Sequence, residues 1–180
     1  MLTNASDNLL ETLANLNEVV DISLKTGLKK RPVNLHKKII SSKKSLIVKL
    51  NEHKVRIINE IDPRVTVKVI PAYLESILMN FLTNAIKYRS PDRRPIIKLS
   101  TINTEGYTVL SIEDNGLGIN LDKYRDKLFG MYKTFHNNKE ARGIGLYITK
   151  NKIEAMNGKI SVESKVDHGT TFKIYFNEDD

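Results

Sequence analysis

Apolar positions recur every three or four residues over 4–26, at Leu9, Leu13, Leu16, Val20 and Leu24, and predict one amphipathic helix. Gly27 and then Pro32 close it. Its stripe needs a partner, either another helix, as in a second copy of the chain, or the domain that follows. A second helix is predicted over 34–52, capped by Asn34, with Leu35, Ile39, Leu46 and Leu50 turned inward. The period then shortens to two, and "VRIINEI" and "VTVKVI" predict short strands. Pro71 suits a first helical turn and opens a third helix reaching about Tyr88, with Leu74, Leu78, Phe81, Leu82 and Ala85 on its core face. "SPDRRP" is a loop, and "IIKLSTI" and "YTVLSIE" form an antiparallel pair turning near Glu105-Gly106. After an irregular stretch, "GIGLYITKNKIEAMN" is helical until Asn157-Gly158, and "KISVES" pairs with "TTFKIYF" about Asp167-His168-Gly169. Strands arranged mostly as hairpins, with helices between them, predict an α/β (α+β) two-layer sandwich. Its mixed, mostly antiparallel sheet carries helices on one face, and an N-terminal helix precedes it.

Composition narrows the class. At 180 residues, 40% apolar and 28% charged, the chain suits one sizeable soluble core. No apolar run approaches the roughly 18–20 residues that span a bilayer, and the N-terminus lacks a basic patch followed by an apolar block. The absence of cysteine excludes disulfides, thiol catalysis and cysteine zinc sites, and suits a reducing compartment. The expected location is cytoplasmic, with any membrane attachment supplied by regions outside this chain. The net charge of +8 owes much to lysines between Lys25 and Lys54. They fall on polar helix faces with no aromatic residues to stack on bases, so they read as solvated surface and no nucleic-acid partner is expected.

Candidate chemistry gathers in three places. On the third helix, Asn80, Asn84, Lys87 and Tyr88 share a face apart from the core stripe. An amide oxygen can enter the shell of Mg²⁺ without neutralising its charge; a plain solvated face is the alternative. Asp114 ends a strand and suits a ligand amine such as that of adenine, while Gly116 and Gly118 leave room for a flat base. A type I′ hairpin turn is the alternative there, but "INLDKYRDKLF" does not alternate as a returning strand should. Gly143 and Gly145 precede an apolar helix, where bare backbone N–H groups can face an anion. The polar stretch before them has the pattern of a mobile lid, with Lys133 and Arg142 at its edges to meet phosphates.

"NFLTNAIKY", "DNGLGI", "LFGMY", "GIGLYITK" and "GTTF" follow one another in an order and spacing that resemble the ATP-binding catalytic domain of bacterial sensor histidine kinases, within the GHKL superfamily. The resemblance spans about 34–176 and implies a Bergerat-type fold holding ATP between helices and sheet. It implies that Asn84 coordinates Mg²⁺, that Asn80 and Lys87 hold phosphate or the metal shell, and that Tyr88 lies against the nucleotide. It further implies that Asp114 binds the adenine amine and that Gly116, Gly118 and Ile119 wall the base. Arg142, Gly143, Ile144, Gly145 and Leu146 would meet phosphates, and Thr170 would close the adenine pocket. The ATP-hydrolysing branches resemble one another in a glutamate four residues before the metal-binding asparagine; here that position is Asn80, and an amide cannot take a proton from water near neutral pH.

None of the four histidines fits the phosphoacceptor pattern of these kinases, being followed by Lys37, Lys54, Asn137 and Gly169. Residues 1–31 are similar to the second helix of a dimerisation and phosphoacceptor hairpin with its linker, and 32–180 to the ATP-binding domain. The chain is thus expected to be a piece of a longer kinase or to act on a histidine of a partner, with a response regulator downstream and a homodimer formed through the N-terminal helix. A nucleotide-responsive interaction module without phosphotransfer is the alternative. Ala141 departs from the first glycine of the usual Gly-x-Gly box, and Met131-Tyr132 from the usual Pro-Phe.

Overall fold

The computed structural model of the protein describes residues 28–130 and 144–178. The first strand, β1 (Arg31–Asn34), carries Pro32 and pairs antiparallel with β3 (Thr66–Val69) in a two-stranded ribbon. No strand is predicted there from sequence, because four residues with an internal proline give no alternation to read. Asn34 then caps α1 (Leu35–Ser45), its side-chain oxygen accepting from the Lys37 N–H at 2.9 Å. The predicted second helix is in fact two. Its ladder breaks at Leu46, whose N–H is shared between the Ser42 and Lys43 carbonyls at 3.2 Å each, and α2 (Ile47–Glu52) follows.

The main sheet has five strands in the order β2 (Arg56–Asn59), β4 (Ile96–Thr104), β5 (Tyr107–Asp114), β7 (Gly169–Asn177), β6 (Lys159–Lys165). All pairs are antiparallel except β2 with β4. Helix α3 (Pro71–Lys87) buries Leu74, Ile77, Leu78, Phe81, Leu82, Ala85 and Ile86. These pack into one cluster with Ile97 and Leu99 of β4, Leu110 and Ile112 of β5, and Phe172, Ile174 and Phe176 of β7. Phe81 meets Phe172 with ring centroids 4.6 Å apart. Each such fully buried side chain contributes roughly 1.5–3 kcal/mol, so this layer contact holds the two-layer arrangement together. Leu35 and Ile39 of α1 join the same cluster, so the helices lie on one face of the sheet. The other face is mainly polar and aromatic, with Lys173 bonded to Glu163, Tyr107 edge-on to Tyr175, and Val109 buried between Ile102 and Tyr175.

Two short elements and one long helix complete the chain. Asn120 caps α4 (Leu121–Tyr124), which runs into a 3₁₀ turn at Arg125–Lys127. Helix α5 (Gly145–Ala155) lies against α3, and the Gly158 N–H closes it onto the Ile153 carbonyl at 2.9 Å while Asn157 takes φ +57°. Lys152, fully buried, reaches from α5 to the Ser76 hydroxyl on α3. No helix among the described residues is long and apolar enough to cross a membrane. The predicted N-terminal helix lies outside the described residues.

Candidate functional site

Asp114 is the last residue of β5, paired across the sheet with Ile97 and Thr170. Its Oδ1 accepts from the Gly116 N–H at 2.8 Å. Burial raises its pKa to about 6, against the pull of backbone hydrogen bonds from Gly116 and Thr170 and the charge of Arg93, while the Glu113 charge adds to the rise. When ionised, the carboxylate has lone pairs beyond those that Gly116 and Thr170 use, and can accept from a further donor.

The loop after it is built by backbone contact. A side chain at Gly116 would overlap the Tyr88 carbonyl and come within 2.8 Å of Asp114 Oδ1. Gly118 has φ +68°, and a side chain there would overlap the Lys165 carbonyl on the β6–β7 hairpin. Asn115 holds the other side: its Oδ1 accepts from the Ile96 N–H at 2.8 Å and its Nδ2 donates to the Arg94 carbonyl at 3.0 Å. The Asn-Gly pair therefore makes no hairpin turn; the asparagine bonds sideways to β4.

Ile119 packs against the main core, and its N–H donates to Ser164 Oγ at 2.8 Å. Ser164 Oγ in turn donates to the Gly169 carbonyl at 2.8 Å, which uses its only hydrogen. The 2.8 Å contact with Thr170 Oγ1 must then be a donation from Thr170, and the lone pairs of the Thr170 hydroxyl remain as acceptors.

The second half of the site lies on α3. Asn84 Nδ2 donates to Asn80 Oδ1 at 3.2 Å, and Asn80 Nδ2 donates to Thr149 Oγ1 on α5 at 2.7 Å. The Asn84 amide thus turns its oxygen away from Asn80. Gly145, the first residue of α5, lets that helix approach closely, since a side chain there would sit 2.7 Å from Asn80 Oδ1. Ile144 is buried with Ile148 against Tyr73 and Tyr147, and Leu146 packs on the main core, so their side chains anchor the start of α5. The backbone N–H groups at the start of α5 are left to meet a ligand, and among the described residues no side chain caps this helix. Lys87 stands 5.9 Å from the centre of the Tyr88 ring, whose hydroxyl pKa is raised by burial.

Tyr88 joins the two halves. Its N–H bonds to the Asn84 carbonyl at 2.8 Å, and its own carbonyl accepts from the Leu117 N–H at 2.9 Å. Asn80, Asn84, Lys87, Tyr88, Asp114, Gly116, Gly118, Ile119, Ile144, Gly145, Leu146 and Thr170 are all described, and the backbone bonds of Tyr88 connect the group on α3 to the loop after Asp114. Lys133, Arg142 and Gly143, together with Met131, Tyr132 and Ala141, lie outside the described residues.

The residues present fit a magnesium nucleotide. Glycine backbone opens the floor beside an acceptor-only carboxylate, and a neutral amide oxygen stands one helix end away. Among the described residues no group of three or more His, Cys, Asp or Glu is placed to hold a metal ion. A cation here would draw on amide and phosphate oxygens.

Three contributors escape the sequence reading. Thr149 carries a signal, a polar residue four places after Gly145 and next to Ile148 on the buried face of the helix. Ser164 carries none, since alternate polar residues are ordinary on a half-exposed strand. Arg93 sits in a loop read only as "SPDRRP", and its partners are carbonyls far along the chain.

The profile of the histidine kinase-, DNA gyrase B- and HSP90-like ATPases matches residues 70–180. The chain is similar to "Sensor protein RprX" of Bacteroides fragilis, 32% identical over 105 residues that make up 57% of this chain and 20% of that protein. It is similar to "Signal transduction histidine-protein kinase ArlS" of Staphylococcus aureus, 31% identical over 61% of this chain and 25% of that one. The matched part of the chain therefore spans a quarter or less of these curated relatives. The fold is shared with the Acinetobacter baumannii histidine kinase AdeS, at a TM-score of 0.81 and 20% identity over 99% of this chain and 83% of that chain. The order of the motifs, the sheet behind them and the profile agree, and the chain belongs to the histidine kinase-, DNA gyrase B- and HSP90-like ATPase family.

Proposed function

We propose that this chain is the nucleotide-binding catalytic portion of a protein-histidine kinase of two-component signalling. It binds Mg-ATP and supplies the γ-phosphate to a histidine on a phosphoacceptor domain of the same or a partner chain, with a response regulator downstream. The observation that carries this reading is a run of hydrogen bonds, from the Gly116 N–H to Asp114 Oδ1, from the Leu117 N–H to the Tyr88 carbonyl, and from the Tyr88 N–H to the Asn84 carbonyl. It ties the loop after Asp114 to the end of α3 that carries the asparagines.

In this site Asp114 takes the exocyclic amine of adenine, while Gly116, Gly118, Ile119 and Tyr88 bound the base. Thr170 accepts from the base or from a water. Asn84 ligates Mg²⁺ through its amide oxygen, Asn80 and Lys87 stand beside the metal and phosphates, and Lys133 with Arg142 to Leu146 supplies the remaining phosphate contacts. When bound, Mg²⁺ offsets charge on the phosphates. Phosphoryl transfer asks the protein for position and charge, and needs no covalent residue here. Asn80, an amide already engaged on both edges by Asn84 and Thr149, supplies no base for water. Such a site keeps ATP for an acceptor imidazole. On this reading residues 1–31 correspond to the second helix and linker of a dimerisation and phosphoacceptor hairpin, only part of which is in this chain, and 32–180 to the ATP-binding domain.

Calorimetry tests the reading: ATP binds in the micromolar range or more weakly with Mg²⁺ present, and label from γ-labelled ATP appears on the histidine of a phosphoacceptor hairpin supplied in trans. An intact fold that binds no nucleotide rejects it. Binding without any transfer to the supplied histidine favours the nucleotide-responsive interaction module.

A further inference from the structure

Arg93, in the loop between α3 and β4, makes three hydrogen bonds, all to backbone carbonyls. Its Nε donates to Asn115 and its Nη2 to Gly116 and to Asp167, each at 2.6 Å. The first two acceptors are consecutive carbonyls of the loop that follows Asp114, and the third is the turn between β6 and β7. The two loops also bond directly, the Asp167 N–H to the Leu117 carbonyl at 2.7 Å. Arg93 is half-buried and closes the triangle.

The contact with Asn115 has a specific mechanical meaning. A peptide unit is planar, with its C=O and N–H pointing in opposite directions. In the unit joining Asn115 to Gly116, the C=O is held by Arg93 Nε and the N–H by Asp114 Oδ1 at 2.8 Å. Fixing one end of that plane fixes the other. Arg93 therefore fixes one of the two backbone donors that hold the Asp114 carboxylate, Gly116 beside Thr170, without touching the carboxylate through a hydrogen bond of its own. Only a planar fork with adjacent donors can take two consecutive carbonyls and keep an N–H for a third; an ammonium on a flexible stem cannot hold that geometry.

We propose that Arg93 is a positioning residue for base recognition, holding the peptide between Asn115 and Gly116 so that the Asp114 carboxylate faces the purine's exocyclic amine. This rests on the nucleotide reading given above. It assigns to an arginine outside every binding motif the job of keeping the site selective for a 6-amino purine.

The experiment compares ATP with ITP, which carries a carbonyl where ATP carries the amine, by calorimetry on wild type, Arg93→Ala and Arg93→Lys, with thermal melts as the check of fold. Wild type is expected to prefer ATP. Arg93→Ala is expected to lower ATP affinity about tenfold, equivalent to about 1.4 kcal/mol, while leaving ITP nearly unchanged, so that the ratio collapses. Free guanidinium at millimolar concentration, well below denaturing levels, restores part of the ratio. Arg93→Lys keeps the charge and the stem yet recovers little of the preference; should Arg93→Ala fail to fold, this variant carries the test. An ATP:ITP ratio equal to wild type in a folded variant overturns the role of Arg93 while leaving the nucleotide reading standing. A wild type that binds neither nucleotide overturns both.

Discussion

The two ends of the site are made in different ways. At the α3 end, the groups that matter are side chains on one helix, Asn80 and Asn84 a turn apart and bonded to each other. At the Asp114 end, one side chain stands among backbone, with the loops of 115–118 and 165–169 pressed together and Arg93 tying them. The difference teaches where function and stability can be separated. A helix keeps its shape when a half-buried polar side chain outside its core stripe is exchanged, whereas loops packed backbone to backbone cannot lose their glycines and survive.

The sharpest test of that contrast is Gly118→Ala. A Cβ at φ +68° is strained whatever the space, and here it also overlaps the Lys165 carbonyl. The variant is expected to lose at least about 3 kcal/mol, enough to lower the melting temperature by ten degrees or so or to prevent folding, as read by thermal denaturation. At the opposite end, Asn84→Ala should leave the melt within about 0.5 kcal/mol of wild type while weakening Mg-dependent ATP binding at least about tenfold in calorimetry. If Asn84→Ala instead unfolds the domain, the separation between the two ends is wrong.

Asp114→Asn sharpens the comparison because it moves stability and binding in opposite directions. The folded pKa, about 6, lies above the ordinary 3.8, so the folded domain holds a proton more tightly than the unfolded chain. Stability of the nucleotide-free domain therefore declines as pH rises from about 3.8 to about 6 and is level above that. At pH 7.5 the asparagine variant, which has no charge to desolvate, should be more stable than wild type by at most about 3 kcal/mol, and the gain should vanish near pH 4. Its ATP affinity should nevertheless fall, since an amide offers a weaker acceptor to the base amine. In wild type, ATP affinity should drop as pH falls below about 6. Melts and calorimetry across this range check both signs.

The smallest expected effect belongs to Thr149→Val. Removing the hydroxyl leaves Asn80 Nδ2 without its 2.7 Å partner and costs about 1 kcal/mol, seen as a modest loss of melting temperature. Mg-ATP affinity should weaken about fivefold as the Asn80–Asn84 pair loses its fixed orientation.

The same contrast explains what could be read from the residues alone. The α3 stripe and its polar face were legible because both follow from one helical period. The β4–β5 pair was legible because apolar residues alternate at Ile97 and Leu99 and again at Leu110 and Ile112, on either side of a turn at Glu105-Gly106. The base end was legible only in part: Asp114, Gly116 and Gly118 announced themselves, but Arg93 and Ser164 take their meaning from atoms up to 74 residues away. Strand β1 was hidden for the same reason. Its pairing with β3 is set by residues more than thirty positions further along, and "RPVN" has no pattern of its own. The break at Leu46 was hidden as well, since the residues on both sides keep the helical spacing.

Asn115 has one more effect. Its side chain takes the Ile96 N–H while its backbone N–H reaches the Ile96 carbonyl at 3.3 Å, so one asparagine answers β4 as a whole extra rung of strand would. The ladder is thereby sealed by an amide that mimics a peptide, and fraying of the loop stops short of the sheet. In deuterium the Ile96 amide should exchange as slowly as one deep in a strand, although it stands at the very edge of the regular pairing.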